Sequence, residues 1–196
     1  MKTLGHFSTF ALGALLASVC LPAEAQVDLV KDGKTKSIII LQQDSRENRT
    51  AANILRLFVE RISGADMPVV TNKTARKGDV IIGSEAPMDV KEDGYALSTA
   101  GGILKISGKA NGVVYGAVSL LEDYLGIDYW GENEYSLTKS ENISLPLIEK
   151  VDNPAFRYRQ TQCYAMKNDS IYKWWNRLEE PEEAFAAGYW VHTFDK

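Results

Sequence analysis

The chain has 196 residues, of which 45% are hydrophobic and 24% are charged, a composition typical of a folded globular protein. Its net charge of -4 at pH 7 and its pI near 5.3 argue against a nucleic-acid-binding protein, which needs a basic face. We therefore expect no nucleic-acid partner.

The first 25 residues have the three parts of a secretory signal peptide. Lys2 supplies the positive start, an apolar run follows from Phe10 to Leu21, and Ala23-Glu24-Ala25 is a small-x-small cleavage site. The apolar run is too short to span a bilayer, so we expect no membrane span after cleavage and export to the periplasm or the outside. A lipoprotein acylated at Cys20 is the alternative, although Val19 fits poorly the small residue that processing prefers there.

Signal cleavage leaves few residues for covalent or metal chemistry. Cys163 is then the only cysteine and His192 is the only histidine. This count excludes an internal disulfide, a cysteine metal site and a multi-histidine zinc site, and it makes a Ser-His-Asp triad a poor fit. We expect no cofactor and no metal.

The region after the signal alternates short strands with two helices. A 3.6-residue period of apolar residues from Ala51 to Ile62 predicts the first helix, and Gly64 ends it. The first two strands flank the turn dipeptide Asp32-Gly33. Short apolar runs bounded by turn residues predict strands at 27–30, 36–41, 69–71, 79–83, 94–99, 103–108, 127–130 and 143–145.

The stretch from Asn111 to Trp130 is central to the predicted fold. Its apolar residues recur at helical spacing and form one broad face, which predicts a helix that lies on a sheet. Asn111 can cap the start of this helix, and Gly126 can end it in a left-handed conformation. The strand that follows then returns to the sheet. Two helices with one apolar stripe each predict an α+β fold, a mixed sheet with both helices packed on one face.

The composition changes after a linker between Pro146 and Pro154. A strand is predicted at 156–161 and helices at 170–178 and 179–187, and aromatic residues crowd this stretch. So much aromatic surface needs a core, which the chain does not supply before it ends. We therefore predict a signal peptide at 1–25, an α+β domain at 26–150 and the incomplete start of a second domain at 151–196.

The acidic residues suggest no catalytic pair. Glu122 and Asp123 lie off the apolar stripe of the second helix, and the glutamates from 179 to 183 fall in a predicted first turn, where negative charge suits the helix dipole. A glycosidase needs two carboxyl groups held at a set separation across the scissile bond. No pair in this sequence meets that requirement, so we expect no catalytic residue.

Three residues are candidates for substrate binding. Strand alternation places Arg157 and Arg159 on one face, and the planar guanidinium of Arg159 can grip a hydroxyl or carboxylate of a substrate. The alternative is a structural ion pair at the domain junction. Trp190 and His192 can form an aromatic platform with a polar sugar contact, and the alternative is a core or exposed histidine.

Several segments resemble a known family. AANILRLFVERISGADMPVV, DVIIG and GYALSTAGGILKISGKANGVVYGAVSLLEDYLGIDYW resemble the non-catalytic N-terminal domain of secreted bacterial glycoside hydrolases. That domain occurs in alpha-glucuronidases and, in related form, beside the barrel of beta-hexosaminidases. NPAFRYR and GYWVHTF resemble the opening of the barrel that follows it.

The resemblance implies that a (β/α)8 barrel follows this domain and that the chain holds only its truncated start. Such a barrel takes about 250 residues and has its active site at the carboxyl ends of its strands. The catalytic acids would then lie on later strands, and the carbohydrate substrate would bind through the missing barrel. Arg159 and His192 match the family's first-strand region near the sugar site.

These observations lead to three functional hypotheses. The first is an accessory N-terminal domain of a secreted glycoside hydrolase acting on polysaccharide or glycan, inactive alone. The second is a stand-alone exported carbohydrate-binding module. Its candidates for stacking on sugar rings are Trp130, Trp174, Trp175 and Trp190. The third is an exported interaction protein whose exposed aromatic tail self-associates.

Overall fold

The computed structural model describes residues 27–131, 133–161, 163 and 168–179. The helices described are α1 (Arg46–Ser63), α2 (Gly112–Leu125) and α3 (Ser170–Trp175), and Ala100–Gly102 forms a 3₁₀ turn. The strands described are β1 (Val27–Val30), β2 (Ile39–Leu41), β3 (Val69–Thr71), β4 (Val80–Ser84), β5 (Tyr95–Ser98), β6 (Leu104–Gly108), β7 (Asp128–Gly131), β8 (Glu134–Ser136), β9 (Ile143–Leu145) and β10 (Glu149–Asp152).

A six-stranded mixed sheet lies at the centre, with the strand order β10-β5-β6-β4-β2-β3. β2 runs parallel to β3 and β4, and β4 runs parallel to β6. β5 is antiparallel to both β6 and β10. In the register of the central strands, Ile39 lies opposite Val69 on one side and Val80 on the other. The α+β class with a mixed sheet is therefore confirmed.

α1 and α2 pack against each other and against one face of this sheet. The shared core contains Ile39, Leu41, Val80, Ile82, Leu104 and Ile106 from the strands and Leu55, Phe58, Val118 and Leu121 from the helices. All ten side chains are buried. Burying each aliphatic or phenyl side chain of this kind contributes roughly 1.5–3 kcal/mol, which makes this layer the main source of stability.

α1 ends at Gly64 as predicted, and Ser45 caps its start. The Ser45 hydroxyl accepts the backbone N–H of Asn48 at 3.1 Å. Gly64 has φ 76° and its N–H donates to the Glu60 carbonyl at 2.7 Å. A left-handed residue is nearly strain-free only as glycine, which explains why the helix stops there.

The start of α2 differs from the prediction. Asn111 has helical backbone angles and its side chain makes no capping hydrogen bond. Instead, the Asp93 carboxylate accepts the Asn111 backbone N–H at 3.2 Å, so a residue from another loop caps the helix. The residues from Gly112 to Leu121 are all buried rather than forming one apolar face. The sheet, α1 and α3 together surround this part of α2.

Two predicted strand pairings are wrong. β1 pairs with β9 rather than with β2, and β7 pairs with β8 rather than returning to the central sheet. The turn at Asp32-Gly33 exists, but it is closed by the backbone of Lys31 and Lys34, and the Gly33 N–H donates to the Glu141 carbonyl. The turn therefore fastens β1 to the distant β9 region and makes no hairpin with β2.

The C-terminal region also departs from the prediction. Residues 156–161 form no strand in the part of the chain that the structure describes, and Arg159 and Glu179 make one isolated antiparallel bridge. α3 confirms the helix predicted at 170–178, but Glu179 lies in the bridge and not in a helix. Trp175 is 4% exposed, and its ring lies 5.2 Å from that of Phe58. The expectation that these aromatic residues find no core in this chain is wrong for Trp175.

The position of the domain boundary near residue 150 stays a prediction, and so does the truncated barrel. Residues 180–196, which include most of the helix predicted at 179–187, lie outside the described part. Within that part, no helix combines the length and the apolar character needed to cross a bilayer.

Candidate functional site

A cleft of about 550 Å³ opens where the first turn of α1 and the start of α2 meet the α3 segment. This volume lies in the range of sites for small ligands, roughly 300–1,000 Å³. Its walls are formed by Arg46, Glu47, Thr50, Asn111, Thr161, Ser170, Lys173, Trp174, Leu178 and Glu179. Residues from the first turn of α1, the residue before α2 and residues of α3 therefore meet around this cleft.

The charges in the cleft walls balance. Arg46 and Lys173 contribute two cations, and Glu47 and Glu179 contribute two carboxylates. Hydroxyl groups of threonine and serine and the side-chain amide of Asn111 complete the polar lining. Such a surface offers donors and acceptors without a strong field of either sign.

Glu179 is the most firmly positioned acid of the cleft. Its Oε2 atom accepts hydrogen bonds from Asn111 Nδ2 at 2.6 Å and from the Tyr115 hydroxyl at 3.4 Å. Burial raises the pKa of Tyr115 above its usual range. A tyrosine hydroxyl is protonated at neutral pH in any case, so it can donate this hydrogen bond. The backbone of Glu179 is held in turn by paired hydrogen bonds with Arg159, at 2.8 and 2.7 Å.

Trp174 supplies the aromatic part of the cleft. It is half-buried, and its ring lies 6.1 Å from the Tyr115 ring at a tilt of 54°. The short helix that carries it begins at Asp169, whose Oδ1 accepts the Tyr172 N–H at 2.9 Å. Asp169 Oδ2 accepts the Tyr129 hydroxyl at 2.7 Å, which ties the start of α3 to β7.

Arg159 lies next to the cleft and does not line it. One Nη atom pairs with the Asp93 carboxylate at 3.0 Å, Nε donates to the Arg177 carbonyl at 2.6 Å, and the other Nη donates to the Phe156 carbonyl at 2.6 Å. Its guanidinium carbon lies 5.7 Å from the centre of the Tyr115 ring. Every nitrogen of this guanidinium therefore donates to a group of the protein itself.

Of the three predicted substrate-binding residues, the structure describes only Arg159. Arg159 occupies the geometry of the structural alternative, an ion pair, and its role in substrate binding stays a prediction. Trp190 and His192 lie outside the described residues. Of the other candidate tryptophans, Trp130 is 60% exposed, whereas Trp175 is in the core.

Two acids of α2 form ion pairs within the chain. Glu122 pairs with Arg177 at 2.5 Å, and Asp123 pairs with Lys150 at 2.7 Å. In the described part of the chain, no three histidine, cysteine or acidic side chains group in a way that could hold a metal ion.

A second, wider hollow of about 870 Å³ lies at the carboxyl ends of β2, β4 and β6. It opens broadly to solvent and has no aromatic side chain in its walls, which include Gln42, Ser84 and Lys109. The first cleft is therefore the better candidate for a ligand.

The family of this chain is shown by a match to its first half and a little more. The model of glycosyl hydrolase family 20, domain 2, matches residues 23–123, which is just over half of the chain. The chain belongs to this family. The family 20 domain 2 match covers the central strands and nearly all of the two long helices, whereas α3 and the wall of the cleft that contains Trp174 lie beyond it.

Solved structures show similarity to the same family at low identity. The GH20 exo beta-N-acetylglucosaminidase from Vibrio harveyi is 19% identical, with 68% of this chain and 18% of that chain covered and a TM-score of 0.45. The Streptomyces plicatus beta-hexosaminidase is 17% identical, with 68% and 24% covered and a TM-score of 0.44. The GH20 beta-N-acetylhexosaminidase from Streptomyces coelicolor is 21% identical, with 70% and 26% covered and a TM-score of 0.44.

This family 20 chain thus spans 18–26% of the length of those three enzymes. A comparison with curated protein sequences gives no match.

Proposed function

We propose that this chain is a non-catalytic accessory domain of an exported glycoside hydrolase that acts on a glycan or polysaccharide. The observation that carries the proposal is the match of family 20 domain 2 to residues 23–123. The domain would work beside a catalytic barrel, and carbohydrate would bind through that barrel.

The engagement of the acidic side chains supports this role. Asp93, Glu122 and Asp123 each form an ion pair within the chain, and Glu179 accepts two side-chain hydrogen bonds. A glycosidase instead needs one protonated and one ionised carboxyl group facing each other across the scissile bond. Catalytic carboxylates are therefore expected on other residues, in the barrel.

The family match also favours one type of enzyme. Family 20 points to a hexosaminidase, so the preferred substrate is a glycan with N-acetylhexosamine residues. The alpha-glucuronidase type, which the sequence also resembles, is the second prediction. Export to the periplasm or the outside rests on the signal peptide predicted at 1–25, and acylation at Cys20 is its alternative.

One observation favours a second candidate function, a stand-alone exported carbohydrate-binding module. Trp130 lies on β7, where strand alternation turns its side chain away from the buried Tyr129, and it is 60% exposed. An exposed indole ring is a surface on which a sugar ring can stack.

The coding DNA beyond Lys196 distinguishes the two functions. The accessory role predicts an open reading frame that continues for about 250 residues or more, the length of a barrel. It also predicts acidic residues at the ends of the later barrel strands. A stop codon directly after Lys196 would contradict the accessory role and favour the binding module.

A further inference from the structure

We infer that the cleft between α1, α2 and α3 binds a short saccharide, separately from any catalytic site. The C-terminal wall of this cleft, which includes Lys173 and Trp174, lies beyond residues 23–123, which the family model matches. The choice of a saccharide rests partly on the proposed function and partly on the chemistry of the walls.

The size of the cleft suits one or two sugar rings. Its volume of about 550 Å³ is in the range of sites that enclose a small ligand. It is bounded on one side by the first turn of α1, through Arg46 and Thr50, and on the other by Lys173 and Trp174 of α3.

The balance of charge favours a neutral, polyhydroxylated ligand. Arg46 and Lys173 alone would suit an anion such as phosphate. Glu47 and Glu179 share the same walls and would repel it. Hydroxyl groups of a sugar can both donate to the carboxylates and accept from the cations, so they match a lining of mixed sign.

Two parts of the cleft are fixed before a ligand arrives. Asn111 and Tyr115 hold the Glu179 carboxylate through its Oε2 atom, and a carboxylate can accept about four hydrogen bonds in all. Glu179 therefore keeps capacity for ligand hydroxyls. Trp174 is held against Tyr115 and contributes the apolar face on which a sugar ring can pack. Preorganised side chains lose little entropy on binding.

The test measures binding to the purified chain by saturation-transfer NMR and calorimetry. The probes are N-acetylglucosamine and di-N-acetylchitobiose, each at up to about 10 mM, a concentration that reveals millimolar dissociation constants. Glucuronic acid, which is an anion, is the control and should bind more weakly. We expect at least one probe to bind. Trp174→Ala should weaken that binding by about tenfold, or about 1.4 kcal/mol, because it removes the aromatic face on which a sugar ring packs.

Two further variants test the proposal even if Trp174→Ala fails to fold. Lys173 is exposed, so Lys173→Ala should leave thermal unfolding unchanged while it weakens binding severalfold. Lys77 is an exposed lysine outside the cleft, and Lys77→Ala serves as its matched control.

Trp130→Ala separates this cleft from the exposed tryptophan on β7. Binding that is weakened by Trp174→Ala and Lys173→Ala but not by Trp130→Ala supports the proposal. Absence of binding by N-acetylglucosamine and di-N-acetylchitobiose overturns it, and so does binding that Lys173→Ala leaves unchanged or that Trp130→Ala weakens. None of these results bears on the reading frame past Lys196, so the accessory role stands or fails separately.

Discussion

The carboxylate of Asp93 and the guanidinium of Arg159 form an ion pair at 3.0 Å, although 66 residues separate them in the chain. Both side chains are largely buried, at 8% and 16% exposed. Asp93 also accepts the backbone N–H of Asn111, at the start of α2. One acid therefore caps the central helix and fastens the segment that carries the cleft wall.

We predict that Asp93→Asn lowers the free energy of unfolding by about 3 kcal/mol, because it leaves the buried charge of Arg159 uncompensated. Denaturant unfolding followed by circular dichroism measures the change. The double variant Asp93→Asn/Arg159→Gln should lose less than the sum of the two single losses.

Arg56→Ala is the control for this prediction. Arg56 donates two hydrogen bonds to the Asp66 carboxylate, but the two side chains are 44% and 56% exposed, so solvent screens the pair. Its removal should leave the free energy of unfolding nearly unchanged. Equal losses of unfolding free energy from Asp93→Asn and Arg56→Ala would show that burial does not strengthen the ion pair between Asp93 and Arg159.

Trp175 should behave as a core residue of the described part of the chain. Its ring contacts Phe58 at 5.2 Å and Tyr129 at 5.6 Å between ring centres. We predict that Trp175→Ala destabilises the chain by about 3 kcal/mol or more, as large aromatic truncations in cores do. Trp130→Ala, at an exposed position, should change stability by less than about 0.5 kcal/mol. A small effect of Trp175→Ala in thermal unfolding would mean that α3 is not part of this core.

Two features of position 83 require a glycine, namely its left-handed backbone and the close approach of Asn48. It has φ 79°, and a Cβ atom there would lie 2.1 Å from Nδ2 of Asn48. Asn48 is buried and donates to the Gln43 carbonyl at 2.9 Å, so it cannot move without losing that hydrogen bond. We predict that Gly83→Ala destabilises the domain by about 3 kcal/mol, from strain and steric overlap together.

Gly33→Ala is the matched control for Gly83→Ala. Gly33 also has a left-handed φ, 67°, but nothing lies within 4 Å of its added Cβ. Its substitution should therefore cost only the backbone strain, about 1 kcal/mol. Equal effects of the two substitutions in chemical denaturation would show that Asn48 yields to the new methyl group.

We predict that the ion pair of Asp123 with Lys150 makes the free energy of unfolding fall in acid. Partial burial would raise the pKa of Asp123, but hydrogen bonds from Lys150 and Ser119 outweigh it and hold this pKa below its ordinary value of 3.8. The carboxylate therefore adds stability above the unfolded-state pKa, and this stability is lost as the pH falls through the lower folded-state pKa.

The stability difference between wild type and Asp123→Asn should thus be constant from about pH 5 to 8 and shrink towards about pH 2. The Lys150→Met background removes the main hydrogen-bond partner, so the same difference should vary less with pH there. An equal difference at neutral and acid pH in the wild-type background would contradict the prediction.

Local patterns in the sequence were sufficient for the helices and most strands. The apolar period and Gly64 located α1 within a few residues, and short apolar runs located β3, β4 and β6. They could not give the strand partners, because β1 and β9 are brought together across more than 100 residues. The cap of α2 was missed for the same reason, since Asp93 lies in a separate loop.

The candidate site was less predictable than the fold. Arg159 was singled out from strand alternation, but its partners Asp93 and Arg177 come from other parts of the chain. Asn111 was assigned a capping role, whereas its side chain donates to Glu179, 68 residues away. The cleft is lined by residues from the starts of α1 and α2 and from α3. Because these segments are far apart in the chain, no motif of fixed spacing predicts it.

We predict that this family 20 chain alone has no catalytic site. The most direct measurement is the hydrolysis of an aryl N-acetyl-beta-glucosaminide and an aryl alpha-glucuronide by the purified chain. We predict that neither substrate is hydrolysed faster than in buffer without protein. Hydrolysis that persists through repurification and is abolished by Glu179→Gln or Glu47→Gln would contradict the claim.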